Sequence, residues 1–384
     1  MRIGINLLYL LPGIVGGMET YAAGLLYGLA TIAPEHKFIV FVNQEATDWP
    51  LPTSSNFSRV VCPVTAANRA ARYYFEQVKL PQLLRDWQVD LCHSLGYVGP
   101  VACPCPAVLT IPDPNYIDIA HTIPLHRRLP LRLLSTQAGR NADAIITISE
   151  FSKQRLHQAL KFPVDKITVT HLAPRPEMTV APAASWPDLR GRYHIPEPYI
   201  IAFGGGAVHK NIPALLQAFT QLDANLPHHL VLIGHIPPNV DTTAIAQPRA
   251  AARRVIATGY IPGEHIAPLL SHADLFVLPS LYEGFGLPVL EAQQAGVAVA
   301  CSTAGSLPEI ASDSALLFDP NSVADIASKI AECLANPELR RRLSQQGRAN
   351  LTRFSWEKTA TETLRVYIKA LAGRSTPDRT AAIL

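Results

Sequence analysis

Short apolar segments alternate with helical segments along nearly the whole chain, and this alternation is the feature that most restricts its fold. Runs of four to six apolar residues are typical of buried strands, whereas apolar residues three or four apart are typical of one helix face. Strands that alternate with helices form parallel sheets, because each return to the same edge needs a crossover. The sequence therefore predicts an α/β protein built from βαβ units.

The predicted strands fall into two series. The first series lies at 2–7, 37–42, 89–94, 107–111 and 144–148, and the second at 199–203, 230–233, 254–258, 275–278, 297–301 and 315–318. Predicted helices between and after these strands lie at 18–30, 212–222, 264–271, 288–295, 322–335 and 356–371. Two series also suit a chain of 384 residues, because single cores stop growing near about 250–300 residues.

A proline-rich segment separates the two series. Six prolines lie between 174 and 198, and proline fixes φ and removes a backbone donor, so this segment cannot extend a sheet. We therefore predict two doubly wound Rossmann-like domains that face each other across a cleft. The first spans 1–176, a linker spans 177–198, and the second spans 199–355. Helix 356–371 is expected to pack back on the first domain.

Composition excludes several classes of protein. The net charge is only +3, which gives no electrostatic basis for binding nucleic acid. Charged residues make up 16% of the chain, below the usual share of about 25%, which favours large cores. No apolar run reaches the roughly 18–20 residues that span a bilayer. The apolar start after Arg2 is interrupted by Asn6 and Pro12, which favours a first buried strand over a signal peptide.

The six cysteines show neither a disulfide framework nor zinc-ligand spacing. We therefore expect reduced thiols in a cytoplasmic protein.

The segment 275–291 carries the clearest chemical signal. A predicted strand ends at Leu278, a loop with Gly284 and Gly286 follows, and Pro288 stands where a helix should begin. Glycines let a backbone approach a ligand closely, and a helix start presents N–H groups that bind phosphate. In open α/β sheets ligands bind beyond the carboxyl ends of strands. A diphosphate site is therefore predicted here.

Glu283 and Glu291 frame this loop with seven residues between them. Carboxylates accept hydrogen bonds from paired hydroxyls, so one suits a sugar and the other a ribose. Two spaced glutamates alone would favour a simpler interpretation, a solvated loop acid and a helix-start glutamate stabilised by the helix dipole.

The complete phrase around these glutamates resembles the Glu-x7-Glu motif of retaining glycosyltransferases of family four, which have the two-domain GT-B fold. The similarity extends to further segments in the same order, at 16–21, 142–152, 259–262, 272–275, 305–309 and 354–356. It covers roughly residues 2–371. It is specific for the family and much less so for the substrate.

The resemblance implies roles for individual residues. Glu283 would contact the donor sugar and Glu291 the nucleotide ribose, while Lys210 would neutralise the donor diphosphate. Asp113 is retained from a first-domain His-Asp pair and joins Glu283 and Lys210 as a catalytic candidate. The remaining donor-binding candidates are backbone or flanking positions, namely Gly16, Gly17, Gly205, His209, Gly284, Phe285, Gly286 and Leu287.

Three positions depart from the family pattern. Gly205 and Gly206 stand where many members have an arginine, and we expect the neighbouring His209 to supply some positive charge. Pro112 replaces the histidine of the His-Asp pair; His93 and His121 are candidates to replace it, or are structural histidines. The usual His-Asn-Gly turn reads His171-Leu-Ala. Separately, Ser306-x-x-Glu309 predicts a helix capping box.

No Asp-x-Asp motif occurs in the chain, so we expect neither a metal nor a cofactor, with a nucleotide sugar as co-substrate. Lys210 and helix N-termini would stabilise the leaving diphosphate. The resemblance offers no well-placed nucleophile, which favours front-face transfer to a glycan or lipid-linked acceptor. GDP-mannose is the favoured donor; UDP-glucose, UDP-N-acetylglucosamine, an epimerase or phosphorylase of the same fold, and a non-catalytic nucleotide-sugar-binding protein stay open.

A basic stretch lies at 126–140. It mixes four arginines with leucines and contains no acid, a pattern typical of a helix lying on anionic lipid. A solvated helix with a buried apolar side fits the same pattern. We expect a cytoplasmic protein with peripheral contact at the inner membrane face.

Overall fold

The computed structural model describes residues 1–175, 185–205, 207–234 and 254–373. Two units divide the chain: the first combines Met1–Ala173 with the segment that begins at Ser355, and the second is Pro174–Phe354. Each unit is built around one parallel sheet. The predicted fold class, with two Rossmann-like α/β domains, is confirmed.

The first unit contains seven strands in the order β3-β2-β1-β4-β5-β6-β7. Their bounds are β1 Arg2–Leu7, β2 Lys37–Val42, β3 Phe57–Val61, β4 Leu91–Ser94, β5 Ala107–Thr110, β6 Ala144–Thr147 and β7 Ile167–Val169. The strand order changes direction between β1 and β4, which is the switch point where doubly wound sheets bind ligands.

Helices connect these strands: α1 Gly17–Ile32, α2 Arg69–Tyr74, α3 Leu80–Asp86, α4 Asn115–Asp118, α5 Leu125–Asn141 and α6 Glu150–Leu160. A π-helical turn, Phe75–Lys79, joins α2 to α3. The apolar face predicted for α1 is buried, with Tyr21, Leu25, Leu26 and Leu29 all inaccessible to solvent.

The second unit contains six strands in the order β10-β9-β8-β11-β12-β13. Their bounds are β8 Tyr199–Phe203, β9 His229–Ile233, β10 Val255–Gly259, β11 Leu275–Leu278, β12 Val299–Ser302 and β13 Leu316–Phe318. Alternate residues of β8 enter two different cores, Ile200 and Ala202 on one face of the sheet and Tyr199 and Ile201 on the other. The switch point of this sheet lies between β8 and β11.

The helices of the second unit are α7 Trp186–Arg192, α8 Ile212–Thr220, α9 Gly263–Ser271, α10 Leu287–Gln294, α11 Leu307–Ala311, α12 Val323–Ala335 and α13 Pro337–Leu351.

The prediction of a linker over 177–198 is wrong at its C-terminal end. Leu189 of α7 and Ile195 are buried in the core of the second unit. Proline blocks a sheet but is accepted in the first turn of a helix, where Pro187 lies. Residues 177–184 lie outside the described part of the chain.

The last helix, α14 Trp356–Gly373, packs on α1. A Cβ on Gly24 would lie 2.1 Å from the indole of Trp356, and one on Gly28 would lie 2.4 Å from the Trp356 carbonyl oxygen. These two glycines therefore allow the close approach of the helices. The hydroxyl of Tyr367, also on α14, lies 2.7 Å from Nδ1 of His93 on β4.

Candidate active site

Two loops at the switch point of the second sheet carry most of the predicted site. One follows β8 and leads through a short 3₁₀ turn, Val208–Lys210, into α8. The other follows β11 and leads into α10. Because β8 and β11 are neighbours in a parallel sheet, their carboxyl ends lie together. The Leu281 N–H donates to the His209 carbonyl oxygen at 2.7 Å, which ties the loops to each other.

The predicted pair Lys210 and Glu283 is in direct contact. Lys210 Nζ lies 2.7 Å from Glu283 Oε1, and their side chains are 24% and 13% exposed. Ser280 Oγ donates to the same carboxylate oxygen at 2.8 Å. A largely buried ion pair whose partners are 73 residues apart in sequence is held by both loops. It places one cation and one anion where a polar ligand can bind.

Asn211 anchors this arrangement, a role that sequence reasoning missed. It has a left-handed backbone conformation at the start of α8. Its side-chain amide donates to the carbonyl oxygens of Pro279 at 3.1 Å and Pro320 at 2.8 Å. Asparagine is among the residues that tolerate this conformation best, since its short polar side chain bonds locally. Asn211 thereby fixes the start of the Glu283 loop next to Lys210.

Gly286 ends the Glu283 loop at the start of α10. Its φ is 116°, and a Cβ there would lie 2.8 Å from a Leu307 methyl group, so only glycine fits without movement. Leu287 and Pro288 form the first turn of the helix. The ring of Phe285 packs edge-on against Phe354 at 6.0 Å between centroids, which holds the loop on its apolar side.

The predicted capping box at Ser306 and Glu309 is wrong. Ser306 Oγ makes no cap bond to α11; it donates instead to the carbonyl oxygens of Phe285 at 2.6 Å and Glu283 at 3.1 Å. The Ser306 N–H also donates to the Glu283 carbonyl at 3.1 Å. These bonds shape the Glu283 loop, and a tertiary contact has replaced the local one that the motif predicts.

Gly205 lies beside the stem of Lys210, since a Cβ there would be 3.7 Å from Lys210 Cγ; Gly206 lies outside the described residues. His209 does not add the expected positive charge in this structure. Partial burial is the main cause that lowers the pKa of His209, and the charge of the nearby Lys210 lowers it further, while Glu283 opposes the shift. The imidazole is therefore neutral at pH 7.

Glu291, the second predicted glutamate, lies on α10 and is 3% exposed. Its Oε1 accepts a hydrogen bond from Nε of Arg175 at 2.8 Å. Sequence reasoning missed Arg175, because 116 residues separate the two side chains and no motif contains the arginine.

The other predicted residues belong to the first unit. Gly16, with φ of 54°, precedes α1, and Gly17 is the first residue of that helix. Glu19 accepts a hydrogen bond from the Gly13 N–H at 2.7 Å, which closes the glycine loop. Asp113 follows β5, is 9% exposed, and accepts from the Asn115 N–H at 2.8 Å.

His93, a candidate to replace the missing histidine, is buried inside the first unit. Its ring nitrogens lie 2.7 Å from the Tyr367 hydroxyl and 2.8 Å from the Thr110 hydroxyl. Burial lowers its pKa to about 3. His93 is therefore a structural histidine. His121 lies in a 3₁₀ turn, Ala120–Thr122, which contains no buried residue.

Within the described ranges, no group of three or more His, Cys, Asp or Glu side chains is arranged to hold a metal ion. None of the six cysteines, all of which lie in the described ranges, forms a disulfide. None of the helices in the described part of the chain has both the length and the apolar content needed to cross a membrane.

Two family signatures match the chain. Residues 15–173 match Glycosyltransferase Family 4, and residues 189–350 match Glycosyl transferases group 1. O-antigen chain mannosyltransferase B of Escherichia coli is 35% identical over 288 residues, which are 74% of this chain and 75% of that protein. Serotype-specific mannosyltransferase WbdA of Escherichia coli is 31% identical over 226 residues, which are 57% of this chain and 28% of that protein.

Among solved structures, sucrose-phosphate synthase from Thermosynechococcus elongatus superposes with a TM-score of 0.74 at 20% identity, over 97% of this chain and all of that one. The fold and the site define a glycosyltransferase of the GT-B type. The chain belongs to glycosyltransferase family 4.

Proposed function

We propose that the protein transfers mannose from GDP-mannose to a glycan, glycolipid or polysaccharide precursor, with retention of the anomeric configuration and without a metal ion. The observation that carries the proposal is the Lys210–Glu283 pair at the switch point of the second sheet. The 35% identity to an O-antigen chain mannosyltransferase supports mannose as the sugar. UDP-glucose or UDP-N-acetylglucosamine is the alternative donor.

The roles of the residues follow from their charge and position. Lys210 neutralises the diphosphate of the donor, and backbone N–H groups of the loop 284–287 that leads into α10 bind its oxygens. Glu283 accepts hydrogen bonds from hydroxyls of the donor sugar, and Glu291 binds the ribose. Asp113 is proposed to act on the acceptor side. Gly16 and Gly17 are proposed to contact the donor phosphates.

The transfer is proposed to occur on one face of the sugar. The bond between the anomeric carbon and the diphosphate oxygen breaks while the acceptor oxygen bonds to the same carbon. The departing phosphate oxygen accepts the proton of the acceptor hydroxyl, so no protein nucleophile is needed. This separates the proposal from a double displacement, in which a carboxylate forms a glycosyl-enzyme.

The experiment has two stages. Thermal shifts with GDP-mannose, UDP-glucose and UDP-N-acetylglucosamine identify the donor, because a ligand stabilises the folded state by mass action. Transfer to a synthetic octyl α-mannoside then gives a product whose anomeric configuration is read by NMR. We expect GDP-mannose to give the largest shift and an α-mannoside product. A β-linked product, or transfer from a UDP-sugar alone, would overturn the proposal.

Variants of the ion pair test the roles directly. Glu283→Gln and Lys210→Ala should each lower kcat by about a hundredfold or more, as expected for lost transition-state contacts. Lys329→Ala is the matched control, since Lys329 forms a 2.9 Å ion pair with Glu332 on the surface of the same unit. Mass spectrometry of the wild type during turnover, with its Glu283 carboxylate in place, should show no covalent adduct; a glycosyl-enzyme would contradict the front-face step.

We further propose that the enzyme works at the cytoplasmic surface of the membrane through α5. Leu125, Leu129 and Leu133 lie one turn apart on this helix and are 57%, 53% and 70% exposed. The side of α5 that faces the protein carries small residues, Ser135, Ala138 and Gly139. The leucines therefore do not form the buried side of a solvated helix.

Basic residues flank the exposed leucines of α5. His126, Arg127, Arg132 and Arg140 are exposed, and the helix contains no acid. A helix with an exposed apolar stripe and basic flanks suits an anionic lipid surface, where the leucines insert and the arginines meet phosphate groups. A lipid-linked acceptor would lie at the same surface.

A further inference from the structure

The Glu291 carboxylate is buried and forms an ion pair. The side chain is 4% exposed, and burying an unpaired carboxylate is costly. Arg175 supplies the cation at 2.8 Å while 37% of its own side chain stays exposed. The pair therefore joins a buried acid to a guanidinium that solvent and ligands reach.

The Arg175 guanidinium lies beside two helices, in contact with the second turn of α10 and near the start of α9. Its Nε contacts Glu291 on α10, and its Nη1 lies 3.9 Å from the position of a Cβ on Gly263, the first residue of α9. Both helices follow strands of the same parallel sheet and begin at its carboxyl edge, where ligands of doubly wound sheets bind. Tyr260, which precedes α9, is 79% exposed at this edge.

Arg175 also supplies a positive charge to a unit in which two expected positive charges are missing. The loop after β8 carries glycine at 205, where the resemblance leads us to expect an arginine, and His209 is neutral. Arg175 comes from a different part of the chain, the segment that connects the two sheets. Its place on Glu291 gives it a direct route to influence a bound nucleotide.

We propose that Arg175 is a positioning residue of the nucleotide site. It fixes the Glu291 carboxylate in the orientation that accepts hydrogen bonds from the ribose hydroxyls. This rests on the proposed function, which assigns the ribose to Glu291. An ion pair that served only the fold would change stability and leave the recognition of the ribose unchanged.

The experiment is a thermodynamic cycle between protein and ligand. Binding of GDP, 2′-deoxy-GDP and 3′-deoxy-GDP is measured by calorimetry for the wild type, Arg175→Ala, Arg175→Lys and Glu291→Gln. Hydrogen bonds to charged groups are strong, so the wild type should lose about tenfold or more in affinity when a contacted hydroxyl is absent. In Arg175→Ala and Glu291→Gln this loss should shrink to less than about threefold, and Arg175→Lys should restore part of it.

Arg190→Ala is the matched control, because Arg190 pairs with Glu197 at 3.1 Å in the same unit. It should leave the deoxy penalty unchanged. If Arg175→Ala unfolds because Glu291 loses its partner, Arg175→Lys keeps a cation beside Glu291 and carries the test, and its deoxy penalty should lie below that of the wild type. Equal weakening of GDP and both deoxy forms in Arg175→Ala would overturn the inference alone. A wild type that does not bind GDP would overturn the proposed function as well.

Discussion

Gly305 shows how one residue can determine the shape of a site without contacting a ligand. Its φ is 64°, and a Cβ there would lie 2.3 Å from the Glu283 carbonyl oxygen and 2.9 Å from the Glu283 nitrogen. Backbone atoms cannot rotate away as a side chain can. Any larger residue at 305 must therefore move the backbone of Glu283.

We expect Gly305→Ala to lower kcat by about tenfold or more, because sub-ångström errors in a catalytic group are costly. Gly296→Ala separates this effect from backbone strain. Gly296 has φ of 80°, but the nearest atom to its Cβ position is the flexible end of Arg348 at 3.5 Å. Gly296→Ala should lose about 1–2 kcal/mol of stability from the left-handed backbone, and Gly305→Ala should lose more because of the backbone clash, both measured by urea unfolding. Only Gly305→Ala should lose activity. Equal kcat values for the two variants would contradict this assignment.

At the scale of elements, α5 gives the sharpest prediction. Replacing Leu125, Leu129 and Leu133 by serine should lower binding to vesicles of phosphatidylcholine and phosphatidylglycerol by about tenfold or more, since insertion scales with apolar area. Wild-type binding should weaken with salt and vanish on phosphatidylcholine alone. Ile368→Ser is the control, because Ile368 is 58% exposed on α14 of the same unit. Co-sedimentation that is unchanged in the triple variant would refute the lipid contact.

The central strands could be predicted because they are continuous apolar runs buried on both faces. The edge strands β3 and β7 could not: β3 alternates between half-buried and exposed residues, and β7 has only three residues. Local patterns therefore report burial and miss elements defined mainly by pairing with a neighbour.

The candidate site shows the same difference between local sequence signals and contacts made by distant segments. The two loops of the ion pair were predicted from contiguous motifs, whereas Arg175 and the role of Ser306 depend on contacts between distant segments. As a sequence, residues 306–309 are equally compatible with a helix capping box and with hydrogen bonds from Ser306 to the Glu283 loop. Only the fold decides which hydrogen bonds form.

At the scale of the whole molecule, the two units carry different titratable groups. The predicted catalytic ion pair lies in the second unit, whereas the buried titratable side chains of Glu76 and His93 lie in the first unit. Glu76, in the π turn, is 1% exposed, and its Oε1 accepts from Asn6 on β1 at 3.4 Å. Burial raises its pKa to about 7, while the nearby Arg72 and the bond from Asn6 oppose the shift. His93 has the opposite tendency, since burial keeps it neutral down to about pH 3.

The shifted pKa values of Glu76 and His93 predict that the free energy of unfolding of the first unit passes through a maximum as the pH changes. Between about pH 4.5 and 7 the folded chain keeps a proton on Glu76 that the unfolded chain has lost, so the contribution of Glu76 to stability falls as the pH rises through this window. Between about pH 6.5 and 3 the unfolded chain protonates His93 and the folded chain does not, so the contribution of His93 falls toward acid. The two contributions nearly cancel where the windows overlap, so the maximum should be a broad one near pH 5–6.

Glu76→Gln should remove the alkaline side of this profile, because glutamine mimics the protonated carboxyl and does not titrate. The wild type should lose up to about 3 kcal/mol between pH 5 and 8 from this group, and the variant should lose little. Urea unfolding followed by hydrogen exchange of first-unit peptides measures the difference, and peptides of the second unit provide the internal reference. A variant whose profile runs parallel to that of the wild type would show that Glu76 is already ionised in the folded protein at pH 5.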